Sequence, residues 1–189
     1  MNKSVKRLVF SAIMVALGAI LMFLEFPILP VAPWLAIDFS FIPILIVALA
    51  YGKADAFLVT LAISVIHFLL KGDLTGLPIG QLANIIAVMS FLVVFVYFKK
   101  KEKTIIGGVA GVLFVTLILV VANYFVITPW YFDILGMDLT ETAAAAGYDS
   151  FLAYAVGVIG LFNLIKWTII STVTLIINKT IDKFVEEVK

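Results

Sequence analysis

The chain has 189 residues, 64% of them hydrophobic and 13% charged, with a formal net charge of +1. A mean hydropathy of +1.22, sustained along the length, excludes a soluble globule, whose apolar share is about 45–50%, and the near-neutral charge argues against nucleic acid as a partner. With no Cys and one His, disulfides, thiolate catalysis and His-rich metal centres are excluded too.

These bounds predict an all-α integral membrane protein. Spans of about 20 residues with short loops leave room for six helices and for no folded soluble domain. A single compact domain, 1–189, is therefore expected.

Lys3, Lys6 and Arg7 precede an apolar run from Leu8 to Leu24. The LMFLEFP that closes it is too bulky for a cleavage site, so it reads as an uncleaved first span inserted from the cytoplasm. Ala12, Ala16 and Ala19 recur there at helical spacing beside Gly18. Such a narrow face serves either packing within the chain or docking of a partner helix.

Glu25 to Asp38 changes character. Pro27, Pro30 and Pro33 deny a continuous helix, and Trp34 favours the interface. The segment reads as a stiff apolar outer loop, folded back over the bundle or anchored at the interface. Span 2, about Phe39 to Tyr51, is short and carries Pro43; Gly52, Lys53 and Asp55 make an inner turn. Span 3 runs from Ala54 to Leu70, with His67 read as a packed or hydrogen-bonded residue rather than a catalyst.

The outer turn KGDLTGLPIG, Lys71 to Gly80, leads into Gln81 and Asn84, two amides that share one helix face at the start of span 4 (about Gln81 to Phe98). KKKEK, Lys99 to Lys103, is the strongest topological marker. Span 5, about Ile105 to Ile127, has Gly107, Gly108 and Gly111 near one end and Asn123 and Tyr124 near the other. In the last outer loop, Thr128 to Asp149, Trp130 and Tyr131 read as interface anchors. Asp138 to Glu141 resembles a capping box ahead of an Ala run and Gly147, which predicts a short helix over the outer mouth.

Span 6, Ser150 to Asn178, holds the chain's most unusual residue. Lys166 lies roughly 20 Å from either end at about 1.5 Å of rise per residue. An ammonium at that depth costs about 2.5–3.5 kcal/mol and must pair or face a polar cavity. Gly160, Asn163 and Lys166 fall within an arc of about 120°. That face reads as the wall of a ligand site, or else Lys166 pairs with another helix and holds the bundle together.

Lys3, Lys6, Arg7, Lys53, the four lysines of Lys99 to Lys103, Lys179, Lys183 and Lys189 make eleven of the thirteen basic residues, all on one predicted side. The positive-inside rule then puts both termini in the cytoplasm. No phosphate-binding G-x-x-x-x-G-K-[ST] occurs, and GGVAGVLF reads as a packing face. With no paired intramembrane carboxylates and one His, an enzyme is not expected. What remains is Asp38, Gln81, Asn84, Asn123, Asn163 and Lys166 converging on the outer half, a pocket open to the outside.

Ala12-x-x-x-Ala16, the Pro-rich first loop, KGD and GLPIGQLAN at Lys71 to Asn84, and FNLIKW at Phe162 to Trp167 together resemble the riboflavin-specific substrate-binding component of bacterial energy-coupling factor (ECF) vitamin transporters. The similarity covers essentially the whole chain. It implies capture of riboflavin from outside the bacterial cell membrane, and delivery through a transmembrane coupling subunit driven by two cytoplasmic ATPases. Riboflavin is then cargo rather than cofactor, and Ala12 and Ala16 become the docking face. An isoalloxazine needs an apolar slot with a few polar groups at one edge, and a ribityl chain needs amides and carboxylates. Lys166 and Asn163 are assigned to the ring edge, Gly80, Gln81, Asn84 and Asn123 to further contacts, and Asp38 to the ribityl chain. The competing reading is a stand-alone ion-coupled carrier or channel with Lys166 as ion site; a third is a purely structural membrane subunit.

Overall fold

The computed structural model describes residues 2–32 and 34–188, so the expectations for Pro33 and Lys189 lie outside the described residues. Helix α1 (Lys3–Phe23) is followed by a minimal hairpin, β1 (Phe26–Pro27) and β2 (Ala36–Ile37), with Phe26 opposite Ile37. Then come α2 (Phe41–Tyr51), α3 (Lys53–Lys71), α4 (Ile79–Lys99) and α5 (Thr104–Ala122). A π-helical turn, Asn123–Ile127, carries α5 into α6 (Thr128–Leu135). Beyond α7 (Leu139–Ala145), a second π-turn, Ala155–Gly160, joins α8 (Phe151–Tyr154) to α9 (Leu161–Ile176), and α10 (Asn178–Val188) closes the chain.

Among the described residues, five helical stretches are long and apolar enough to cross a membrane: Lys3–Phe23, Lys53–Lys71, Ile79–Lys99, Thr104–Leu135 and Phe151–Ile176. The expected second span is an apolar helix of only 11 residues. Its shortness goes with its position. Helix α2 packs on α1, α3, α4 and α10, and Phe41, Ile44, Leu45 and Val47 are almost wholly buried, so it is apolar all round because protein surrounds it. Gly52, at φ 105°, makes the one-residue turn into α3, a conformation that favours glycine.

Between membrane helices there is no water to expel, so close packing of small residues holds them together. The α5 glycines supply it. A Cβ on Gly108 would stand 2.6 Å from Ser171 Oγ, and one on Gly111 2.9 Å from the Phe91 ring. Phe91 in turn stacks on Trp167 at 4.8 Å. Gly111→Val is expected to destabilise the protein by about 1–3 kcal/mol through overpacking, read as a lower melting temperature in detergent; an unchanged melt would remove α5 from the packing core.

The alanine face of α1 divides in two. Ala19 is buried, and a Cβ on Gly18 would stand 2.3 Å from Ile63. Ala12 and Ala16 are exposed.

At the other end of the bundle the first loop folds back over it, as one of the two sequence readings has it. Ala32 is wholly buried in a cluster with Ala143 of α7, Tyr154 of α8 and Ala155, Val158 and Ile159. Helix α7 forms where the sequence places a short helix, with Asp138 accepting from the Thr140 and Glu141 amides at 2.7 and 2.8 Å. The stretch read as a loop from Thr128 is instead helical through Leu135, with Pro129 just past the π-turn that joins α6 to α5.

Candidate functional site

Beneath this roof lies a chamber of about 560 Å³, within the range of small-molecule sites. The seven residues expected at the site, Asp38, Gly80, Gln81, Asn84, Asn123, Asn163 and Lys166, all line it. They come from the roof loop, the start of α4, the first π-turn and α9, so helix packing brings together groups up to 128 residues apart. Apolar walls come from Phe132, Phe162 and Trp167, and Trp167 is fixed by edge contact with Phe41 as well as by the Phe91 stack.

Lys166 does not pair with another helix. Its ammonium donates to Asp38 Oδ2 at 2.9 Å and to the Ala36 carbonyl at 3.1 Å, so its partner is the end of the roof loop. Asp38 Oδ1 accepts from the Ser40 amide at 3.0 Å and from the Ser40 hydroxyl. Burial alone would raise the Asp38 pKa. The neighbouring Lys166 charge and the Ser40 hydrogen bonds outweigh it and hold the carboxyl below its ordinary value. Both oxygens of Asp38 are thus hydrogen-bonded within the protein, and the carboxylate seats the lysine. One of the three ammonium protons remains for a ligand.

Two of the three chamber asparagines, Asn123 and Asn163, share a device. Asn123 Nδ2 donates to the Leu119 carbonyl and Asn163 Nδ2 to the Ile159 carbonyl, each at 2.8 Å and each four residues back. Tying down the NH2 group leaves the amide oxygen to act. Asn123 Oδ1 accepts from the Thr128 hydroxyl at 3.1 Å, whereas Asn163 Oδ1 has no protein donor among the described residues. On successive turns of α9 the chamber therefore sees an acceptor at 163 and a cationic donor at 166. Asn84 is half-buried with no protein hydrogen bond among the described residues. Gly80 lies beside Asp73, whose Oδ2 would be 3.4 Å from an added Cβ.

Sequence reasoning missed several lining groups: Glu25, Lys71 and Asp73 at the mouth, and Thr128 and Tyr131 from α6. Tyr131, expected as an interface anchor, lines the chamber instead, because α6 continues the helix of α5 over it. Glu25 had a usable signal, an acid directly after a 17-residue apolar run. His67 is buried and hydrogen-bonded to Gln81, as its sequence reading has it. Ala12 and Ala16 lie outside the chamber on the surface of α1.

A bundle of membrane-length helices around a roofed, polar-edged chamber defines a membrane solute-binding protein. The chain belongs to the substrate-specific components of ECF transporters, whose family model matches residues 6–178. Among its relatives, a riboflavin transporter FmnP of Bacillus subtilis is 31% identical, covering 97% of this chain and 95% of its own. A riboflavin transporter RibU of Streptococcus thermophilus is 30% identical over 88% of this chain and 78% of its own. The RibU of Staphylococcus aureus is 29% identical over 97% and 94%. A solved S component of a bacterial ECF transporter superposes with a TM-score of 0.74 at 28% identity, covering 96% of this chain and 98% of that one. The protein is a multi-pass membrane transport component and not an enzyme.

Proposed function

We propose that this chain captures riboflavin from outside the cell and delivers it through an ATP-driven coupling module. The carrying observation is the chamber itself, with flat aromatic walls and, at one edge, Asn163 Oδ1 one turn from the Lys166 ammonium. A planar ring whose edge alternates carbonyl and N–H groups offers the acceptor and donor that this pair lacks. Full-length similarity to proteins named riboflavin transporters supports the same ligand. The stand-alone carrier is not favoured, because Lys166 is already neutralised by Asp38 and is poorly placed to serve as a free ion site.

In this reading the chain spans the membrane six times, with α2 as the short second span and both termini in the cytoplasm. Arg7 of α1 forms a bidentate pair with Asp55 at the start of α3, and Lys99 at the end of α4 pairs with Asp182 of α10. The basic ends are thereby gathered on one side, opposite the chamber, as the positive-inside rule requires. A transmembrane coupling subunit docks on α1 at Ala12 and Ala16, and two cytoplasmic ATPases drive release.

Protein purified in detergent from cells is expected to carry absorption bands near ~370 and ~450 nm that leave with the filtrate after denaturation, since a tight site retains its ligand through washing. A colourless preparation whose tryptophan fluorescence ignores added riboflavin would reject the assignment.

A further inference from the structure

A second polar cluster lines the chamber on its α3 and α4 side, around the contact between His67 and Gln81. At its centre is His67, 4% exposed, with the Phe23 ring 5.0 Å from its own. Its two nitrogens face different groups: Nε2 is 3.7 Å from Glu25 Oε2, and Nδ1 is 3.2 Å from Gln81 Nε2. Glu25 also pairs with Lys71.

The Gln81 NH2 group can only donate, so the Nδ1 it meets is the acceptor and the ring proton sits on Nε2, which is buried with no hydrogen-bond partner among the described residues. The contact holds the NH2 end of the Gln81 amide against the ring. Gln81 Oε1 is buried without a protein donor, so among the described residues His67 is the side chain that sets the orientation of this amide. Glu25 stands at the root of the roof loop and Gln81 in the first turn of α4, and both line the chamber.

We propose that His67 is a positioning residue for ligand binding: its Nδ1 holds the NH2 end of the Gln81 amide and so fixes which end of that amide faces the chamber. The proposal rests on riboflavin being the ligand and on Gln81 touching it. A packing role alone would need the ring's volume but no acceptor at Nδ1.

The test exploits the geometry of the two side-chain amides. Asn places its oxygen near the position of Nδ1; Gln places its amide further out, near that of Nε2. Riboflavin is titrated against the purified, ligand-free protein by tryptophan quenching, with each variant checked for a monodisperse profile. His67→Asn is expected to bind within about threefold of wild type, because the acceptor for Gln81 is kept. His67→Gln and Gln81→Ala should each lose about tenfold. The double variant His67→Gln/Gln81→Ala should be no weaker than Gln81→Ala, since residues acting through one another are not additive.

Equal weakening by Asn and Gln at position 67, additive losses in the double variant, or wild-type affinity in Gln81→Ala would each overturn the proposal while leaving riboflavin as the ligand. If wild type itself fails to bind, the ligand assignment falls and the proposal with it. Should His67→Gln not be monodisperse, His67→Leu, which keeps similar volume and removes the acceptor, gives the same reading: it is expected to weaken binding by about tenfold, and to change nothing further in the Gln81→Ala background.

Discussion

Lys166→Met is expected to lower riboflavin affinity by roughly tenfold to more than a hundredfold, equivalent to about 1.5–3 kcal/mol for a lost charge-assisted hydrogen bond. The same change should also destabilise the protein, by about 3–5 kcal/mol, because it strands Asp38 as a buried carboxylate with only Ser40 for a partner. These two effects separate in a second variant. Asp38→Leu combined with Lys166→Met removes both charges, so its melting temperature should return towards wild type while its affinity stays low. Recovery of both would mean that Lys166 acts only by holding the roof; wild-type affinity in the single variant would remove it from the site altogether.

The pair also predicts a pH dependence. Asp38 has its pKa lowered by folding, so the stability it contributes is present above the ordinary carboxylate pKa and is lost only as pH falls through the depressed folded value. Thermal melts of wild type should weaken on that acid limb, and the variant lacking both charges should not share the loss.

Much of this architecture is legible in the residues. Hydropathy and lysine placement locate the membrane helices, because the cost of a buried charge is large and local. Lys166 marks the site for the same reason: only a partner or a ligand makes it tolerable at that depth. The amides at 81, 84, 123 and 163 are polar residues in apolar runs, and each lines the chamber.

What sequence does not show is who meets whom. The pairing of Asp38 with Lys166 spans 128 residues, a separation no local pattern records. The two π-turns likewise have no signature in hydrophobic spacing, yet the first contains Asn123 and the second ends three residues before Asn163. Helix α10 carries Ile181 and Val185 into the core with Phe184 against Phe10. Its apolar positions are too few for a span, and only the bundle explains them.

Ala16→Trp is expected to abolish riboflavin uptake by whole cells, a drop of more than tenfold, while riboflavin still binds the purified protein as in wild type. Ala12 and Ala16 lie one turn apart on the exposed surface of α1, remote from the chamber lining. Beside Ala12 the surface dips into a groove of about 450 Å³ between α1 and α3, with the Arg7–Asp55 pair on its rim. Small residues let a second helix approach to about 8 Å, and an indole at the contact forces the axes apart, removing the dispersion contacts that hold membrane helices together. Lipid accommodates the same indole at little cost. Leu17→Trp, exposed about 100° further round the helix, is therefore the matched control and should transport normally. Loss of uptake in both variants would point to a general defect in α1, and normal uptake in both would leave Ala12 and Ala16 facing lipid alone. Only a loss confined to Ala16→Trp, with binding intact, separates capture from delivery and places the coupling subunit on this face.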